Sequence, residues 1–140
     1  MLEISTATSI EGLQRPEIKT KVLVVDDVPS VTAAIERNLR NDVIVLSANN
    51  GLDARRVISE QPDIDALLLD VTMPDYDSVE MLRDLANDGH FPPIILFSGY
   101  RHDVLETVSS YASCLGFKIL NMLEKPVSKS AILASLHESE

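Results

Sequence analysis

This sequence predicts an α/β domain built on a parallel sheet with helices on both faces. Five short, nearly continuous apolar runs recur along it, VLVVDD, VIVLSA, ALLLD, IILFS and ILNML, which is how strands buried on both faces read. Stretches with helical spacing separate them. Alternation of these two periods calls for parallel strands joined by right-handed crossover helices, and ligands in such sheets bind at the carboxyl ends of the strands.

The elements follow in order. Val22–Asp27 forms the first strand; Pro29, a residue suited to a first helical turn, then opens a helix with Val31, Ala34, Ile35 and Leu39 on one face. Val43–Ala48 is the second strand, and Ala54, Val57 and Ile58 mark the helix after it. The third strand, Ala66–Asp70, precedes a helix carrying Val79, Leu82, Leu85 and Ala86. Ile94–Ser98 leads to a helix with Val104, Val108, Tyr111, Ala112 and Leu115. Ile119–Leu123 closes the sheet, and the final helix starts with Ser128 as its cap and turns Ile132, Leu133 and Leu136 inward. With 140 residues the chain fits one domain, over residues 20–138, preceded by a flexible polar leader over 1–19.

Composition excludes several classes. A net charge of -10, with twelve basic residues scattered along the chain, argues against direct nucleic-acid binding, because affinity for phosphate backbones is built from clustered Lys and Arg. The lone Cys114 has no internal disulfide partner, and His90, His102 and His137 are too far apart in sequence to suggest zinc spacing. No apolar run approaches the ~20 residues of a membrane span, and the leader lacks the pattern of a secretory signal. A cytoplasmic protein without membrane contact is the expectation.

Polar residues stand where the strands end: Asp26 and Asp27 after the first, Asp70 after the third, Ser98 after the fourth, and Glu124, Lys125 and Pro126 after the fifth. A polar residue at a strand end is usually just where the chain meets water. Together, though, these residues put carboxylates, a hydroxyl and an ammonium on one rim. Adjacent aspartates repel each other, so the pair calls for a positive partner. Carboxylate oxygens in a cluster are natural ligands for Mg²⁺, which prefers octahedral oxygen coordination and keeps waters that a phosphate can displace.

VLVVDDVPS, LLLDVTMPDYDS, ILFSGY and LEKPV, in this order and at these intervals, resemble the receiver domains of bacterial two-component response regulators. The resemblance covers about Thr20 to His137. It implies a flavodoxin-like doubly wound sheet in the order 2-1-3-4-5 with five helices. It also implies that Asp70 accepts a phosphoryl group from a histidine kinase or phosphotransfer protein. Asp27, Asp70 and the Thr72 carbonyl would bind Mg²⁺ directly and Asp26 through water, Lys125 would pair with the phosphoryl oxygens, and Ser98 would hydrogen-bond to one of them. The Lys125–Pro126 peptide is expected to be cis. Thr72 and Tyr100, each two residues past a site residue, are expected to modulate how long the phosphoryl group survives. Output to a partner or output domain is expected through the last two helices and the strand between them. Tyr111, Phe117 and the stem of Lys118 there serve either a homodimer or internal packing.

The chain departs from the family pattern at three places. Ser78 stands where a glycine is usual, at a strain cost if that backbone needs positive φ. Met122 replaces the usual aromatic switch residue and reads as ordinary core. Residues 116–125 also run about two residues longer than the pattern. SGYRHDVLE and GFKILNMLEKPV are most similar to receivers preceding EAL-type cyclic-di-GMP phosphodiesterase domains. Three other functions compete with a phosphoacceptor. A pseudo-receiver binding module is expected to lack one of Asp27, Asp70 or Lys125, and all three are present. An aspartyl phosphatase wants a second acid two residues after Asp70, where Thr72 stands. Flavin-type cofactor binding wants a Gly/Ser/Thr-rich loop after the first strand, and none follows it.

Overall fold

The computed structural model describes residues 19–71, 78–99 and 102–137. The leader up to residue 18, Thr72, Asp77 and Tyr100 lie outside the described residues. Within them, five strands alternate with five helices: β1 (Lys21–Val25), α1 (Pro29–Leu39), β2 (Ile44–Ala48), α2 (Gly51–Glu60), β3 (Ala66–Asp70), α3 (Ser78–Asp88), β4 (Ile94–Ser98), α4 (His102–Leu115), β5 (Ile119–Glu124) and α5 (Lys129–His137). All neighbouring strands are parallel, in the order β2-β1-β3-β4-β5. This is the flavodoxin-like order expected from the resemblance.

Alternation along each strand divides the core in two. Leu23, Val25, Leu67, Leu69 and Leu96 pack on Ile58, Leu82 and Val108 of α2, α3 and α4. Val22, Val24, Leu68, Ile95 and Phe97 point the other way, onto Ile35 and Leu39 of α1 and Ile132 and Leu136 of α5. β3 and β4 are buried at every position, as continuous apolar strands inside a covered parallel sheet must be. Helix ends follow local rules. Pro29 occupies the first turn of α1, the Asn50 side chain accepts from the Asp53 N–H at 2.8 Å to cap α2, and Ser128 Oγ accepts from the Ala131 N–H at 3.1 Å to cap α5.

Two expectations of burial fail, both on edge strands. Ile44 on β2 is 43% exposed and Met122 on β5 is 39% exposed, because an edge strand has a neighbour on one side only. Met122 is therefore surface, not core. A bulge contributes: Ile94 pairs with Ile119 but Ile95 with Asn121, so Leu120 is an extra residue and takes up part of the added length in this segment. Ser78 also behaves differently from the strained residue anticipated. It lies in α3, where the backbone is helical, and its buried hydroxyl donates to the Val71 carbonyl at 3.3 Å. Phe117 is buried and packs in a tilted arrangement against Phe91 with centroids 5.2 Å apart, which assigns it to packing and removes it from any dimer surface.

Candidate functional site

The rim at the carboxyl ends of β1, β3, β4 and β5 gathers the polar residues that the sequence places there. Asp26 follows β1 and is fully buried; its Oδ1 accepts from the Val28 N–H at 2.9 Å, which fixes the carboxyl plane at the entrance to α1. Asp27 is exposed beside it. Asp70 ends β3 and is 1% exposed. One carboxylate oxygen from each of Asp26, Asp27 and Asp70 lies within 4.8 Å of the others.

Lys125 reaches this cluster from the end of β5. Its backbone N–H donates to the Ser98 carbonyl at 2.8 Å, which ties β5 to the end of β4, and the Lys125–Pro126 peptide is cis, as expected. The ammonium passes over the Phe97 ring at 5.2 Å from its centroid. It then sits 2.8 Å from Asp26 Oδ2 and 3.4 Å from Asp70 Oδ2. Ser98 is buried at the same rim, in register with Glu124.

Burial raises the Asp26 carboxyl above its ordinary 3.8, against the lowering effect of Lys125 and the Val28 N–H. Burial alone lowers a lysine, but Asp26 and Asp70 outweigh it and hold Lys125 above 10.5. The signs for stability follow. Asp26 binds its proton more tightly folded than unfolded, so its contribution is present below 3.8 and is lost as pH rises through its raised value. Lys125 contributes below 10.5 and loses its contribution as pH rises through its own raised value. At neutral pH, without metal, Asp26→Asn is therefore expected to raise the melting temperature by a few degrees, and this gain is expected to shrink as pH falls toward 3.8. Thermal melts at pH 7 and pH 5 check it; a variant that melts lower at pH 7 contradicts the sign.

The donor set suits a hard divalent cation. All the candidate ligands are oxygens, and Asp26 Oδ2 is buried with the Lys125 ammonium at 2.8 Å, while a carboxylate oxygen can accept a second partner. Thr72 and Tyr100 lie outside the described residues. Sequence reasoning missed Asn49, whose Nδ2 donates to the Asp26 carbonyl at 2.9 Å, and the Phe97 ring beneath Lys125. Asn49 stands directly after the second apolar run, at the same rim, and that position was the available signal.

The profile described as the response regulator receiver domain matches residues 22–137. Among curated relatives, Response regulator MprA of Mycobacterium ulcerans (strain Agy99) is 32% identical over 121 residues, covering 85% of this chain and 49% of the relative. The chain thus spans about half the length of the curated relatives it matches. A response-regulator signal receiver domain from Bermanella marisrubri is 31% identical, with a TM-score of 0.70 and coverage of 86% of this chain and 98% of that one. Chemotaxis protein CheY4 of Vibrio cholerae shares the fold at 21% identity, with a TM-score of 0.74 over 88% of this chain and 100% of that one. These matches do not support the narrower likeness to receivers that precede EAL domains.

Proposed function

Because the chain belongs to the response regulator receiver domains, we propose that it takes a phosphoryl group onto Asp70, in a Mg²⁺-dependent reaction, from a histidine kinase or phosphotransfer protein. The juxtaposition of three carboxylates with the Lys125 ammonium carries this reading. An Asp70 oxygen bonds to phosphorus while the bond from phosphorus to the donor histidine nitrogen breaks, and the electron pair leaves on that nitrogen. Such transfer asks a protein for positioning and charge neutralisation. Asp27 and Asp70, with the Thr72 carbonyl and with Asp26 through water, would hold Mg²⁺, which supplies positive charge to the transferring oxygens. Lys125 stays within reach of the new phosphoryl group, and Ser98 offers its hydroxyl from the end of β4. Later attack by water on phosphorus breaks the bond to the Asp70 oxygen, releasing inorganic phosphate and returning Asp70 as a carboxylate, with Thr72 and Tyr100 setting the pace.

The domain so defined spans residues 20–138 after a leader over 1–19, acts in the cytoplasm, and signals to a partner or an output domain through α4, β5 and α5. It works as a signalling domain that promotes its own phosphorylation and dephosphorylation. Among the described residues no helix is long and apolar enough to cross a membrane.

Incubation with a small acyl phosphate donor tests the reading. With Mg²⁺ present, intact mass is expected to rise by one phosphoryl group, peptide mapping is expected to place it on Asp70, and chelating the metal is expected to prevent it. No uptake, or uptake on another residue, refutes the assignment.

A further inference from the structure

Asn49 holds the acidic pair in place by a route that the phosphoacceptor motifs do not include. Its Nδ2 donates to the Asp26 backbone carbonyl at 2.9 Å and to Thr32 Oγ1 at 3.3 Å, and the Thr32 hydroxyl donates in turn to the Pro29 carbonyl at 3.0 Å. The identity of the amide atom follows from its partners. A carbonyl only accepts, and the Thr32 hydroxyl has its proton on Pro29, so both face an amino group and not the amide oxygen. Three segments are thereby tied together: the end of β1, the first turn of α1 and the loop between β2 and α2. The second link between β1 and β2 here is the Asp26 N–H donating to the Ala48 carbonyl at 3.2 Å. Both polar groups of the Asp26 backbone are therefore held by residues 48 and 49.

The Asp26 carbonyl belongs to the peptide unit that joins Asp26 to Asp27. Rotation of that unit swings Asp27 relative to Asp26, whose own carboxyl is already pinned through Oδ1 to Val28. Asp27 is exposed, and the peptide plane sets the direction in which its side chain leaves the backbone. Thr32 is 4% exposed and anchors the far end of the bridge in the first turn of α1.

We infer that Asn49 is a positioning residue for divalent-cation binding, fixing the Asp26–Asp27 peptide so that both carboxylates converge with Asp70 before the ion arrives. This rests on the Mg²⁺ reading of the cluster. Groups that orient metal ligands without touching the metal tune affinity strongly in other sites. Asn49 lies outside the cluster itself and makes no ion pair with it.

Mg²⁺ titration by calorimetry, well below the melting temperature, tests the inference on three proteins. Asn49→Ala is expected to weaken Mg²⁺ binding about tenfold, at the low end of what losing an outer partner does. Thr32→Val removes the buried hydroxyl but leaves the Asn49–Asp26 bond, so it is expected to lower the melting temperature while changing Mg²⁺ affinity less than about twofold. Equal Mg²⁺ affinity in Asn49→Ala and wild type overturns the inference while leaving the phosphoacceptor reading in place. An equal loss in Asn49→Ala and Thr32→Val also overturns it, because general loosening then accounts for both. Wild-type protein that binds no Mg²⁺ overturns the reading beneath it and this inference together.

Discussion

Asp70→Asn is expected to take up no phosphoryl group under conditions that load the wild type fully. The amide preserves the shape of the side chain and removes the nucleophile. Lys125 keeps its shorter contact, 2.8 Å to Asp26, so the fold is expected to survive with a melting temperature within a few degrees of wild type. Lys125→Met gives a graded companion. The thioether preserves the apolar stem over Phe97 and removes the cation that meets the incoming charge, which is worth about 10²–10³ in rate by the measure of a lost transition-state donor. It also removes the cation beside two buried carboxylates, at a cost approaching ~3 kcal/mol at neutral pH. Lys125 lowers the Asp26 carboxyl, so without the cation Asp26 binds its proton more tightly still and this deficit is expected to shrink in acid. Intact mass and thermal melts read both variants. Continued phosphorylation of Asp70→Asn refutes Asp70 as the acceptor, and unimpaired uptake by Lys125→Met refutes the role given to the lysine.

Phe97→Ala is expected to cost about 3–5 kcal/mol, the usual range for truncating a buried phenylalanine, and to lower the melting temperature by about 10–15 °C. Phe97 is fully buried on an interior strand, between the α1 and α5 layer and the sheet, so truncation removes packing from both layers. Its ring also supports the Lys125 ammonium. Truncation is therefore expected to slow phosphoryl uptake even at temperatures where the variant stays folded. Phe97→Leu fills most of the space without the aromatic face, and separates the two effects: stability is expected to recover more than uptake. A loss below about 1 kcal/mol in the alanine variant contradicts the packing assignment.

Much of this was legible in the residues alone. Strands and helices announce themselves through local periodicity, since apolar runs and helical spacing are properties of neighbours in sequence. The rim residues Asp26, Asp27, Asp70, Ser98 and Lys125 were legible because a parallel sheet puts every strand's carboxyl end on one side, so the last polar residue of each strand joins the others. Burial at the edges was not legible. Ile44 and Met122 sit in runs as apolar as those of β1 and β3, and only strand order, together with the bulge at Leu120, leaves them exposed. Phe117 looked equally suited to a surface or to packing until Phe91, 26 positions earlier, came to lie against it.

The finer arrangement of the site belongs to tertiary structure for the same reason. Lys125 chooses between Asp26 and Asp70 by distances of 2.8 Å and 3.4 Å across gaps of 99 and 55 residues, and no local pattern encodes that choice. Asn49 reaches Asp26 across 23 residues because β1 and β2 pair in the register that sets Val25 against Ala48. Which chemical groups stand on the rim follows from the order of residues along each strand, since each group is placed by its own strand. Which of them touch was decided by register and strand order, because contacts depend on how separate strands align and not on the composition of any one.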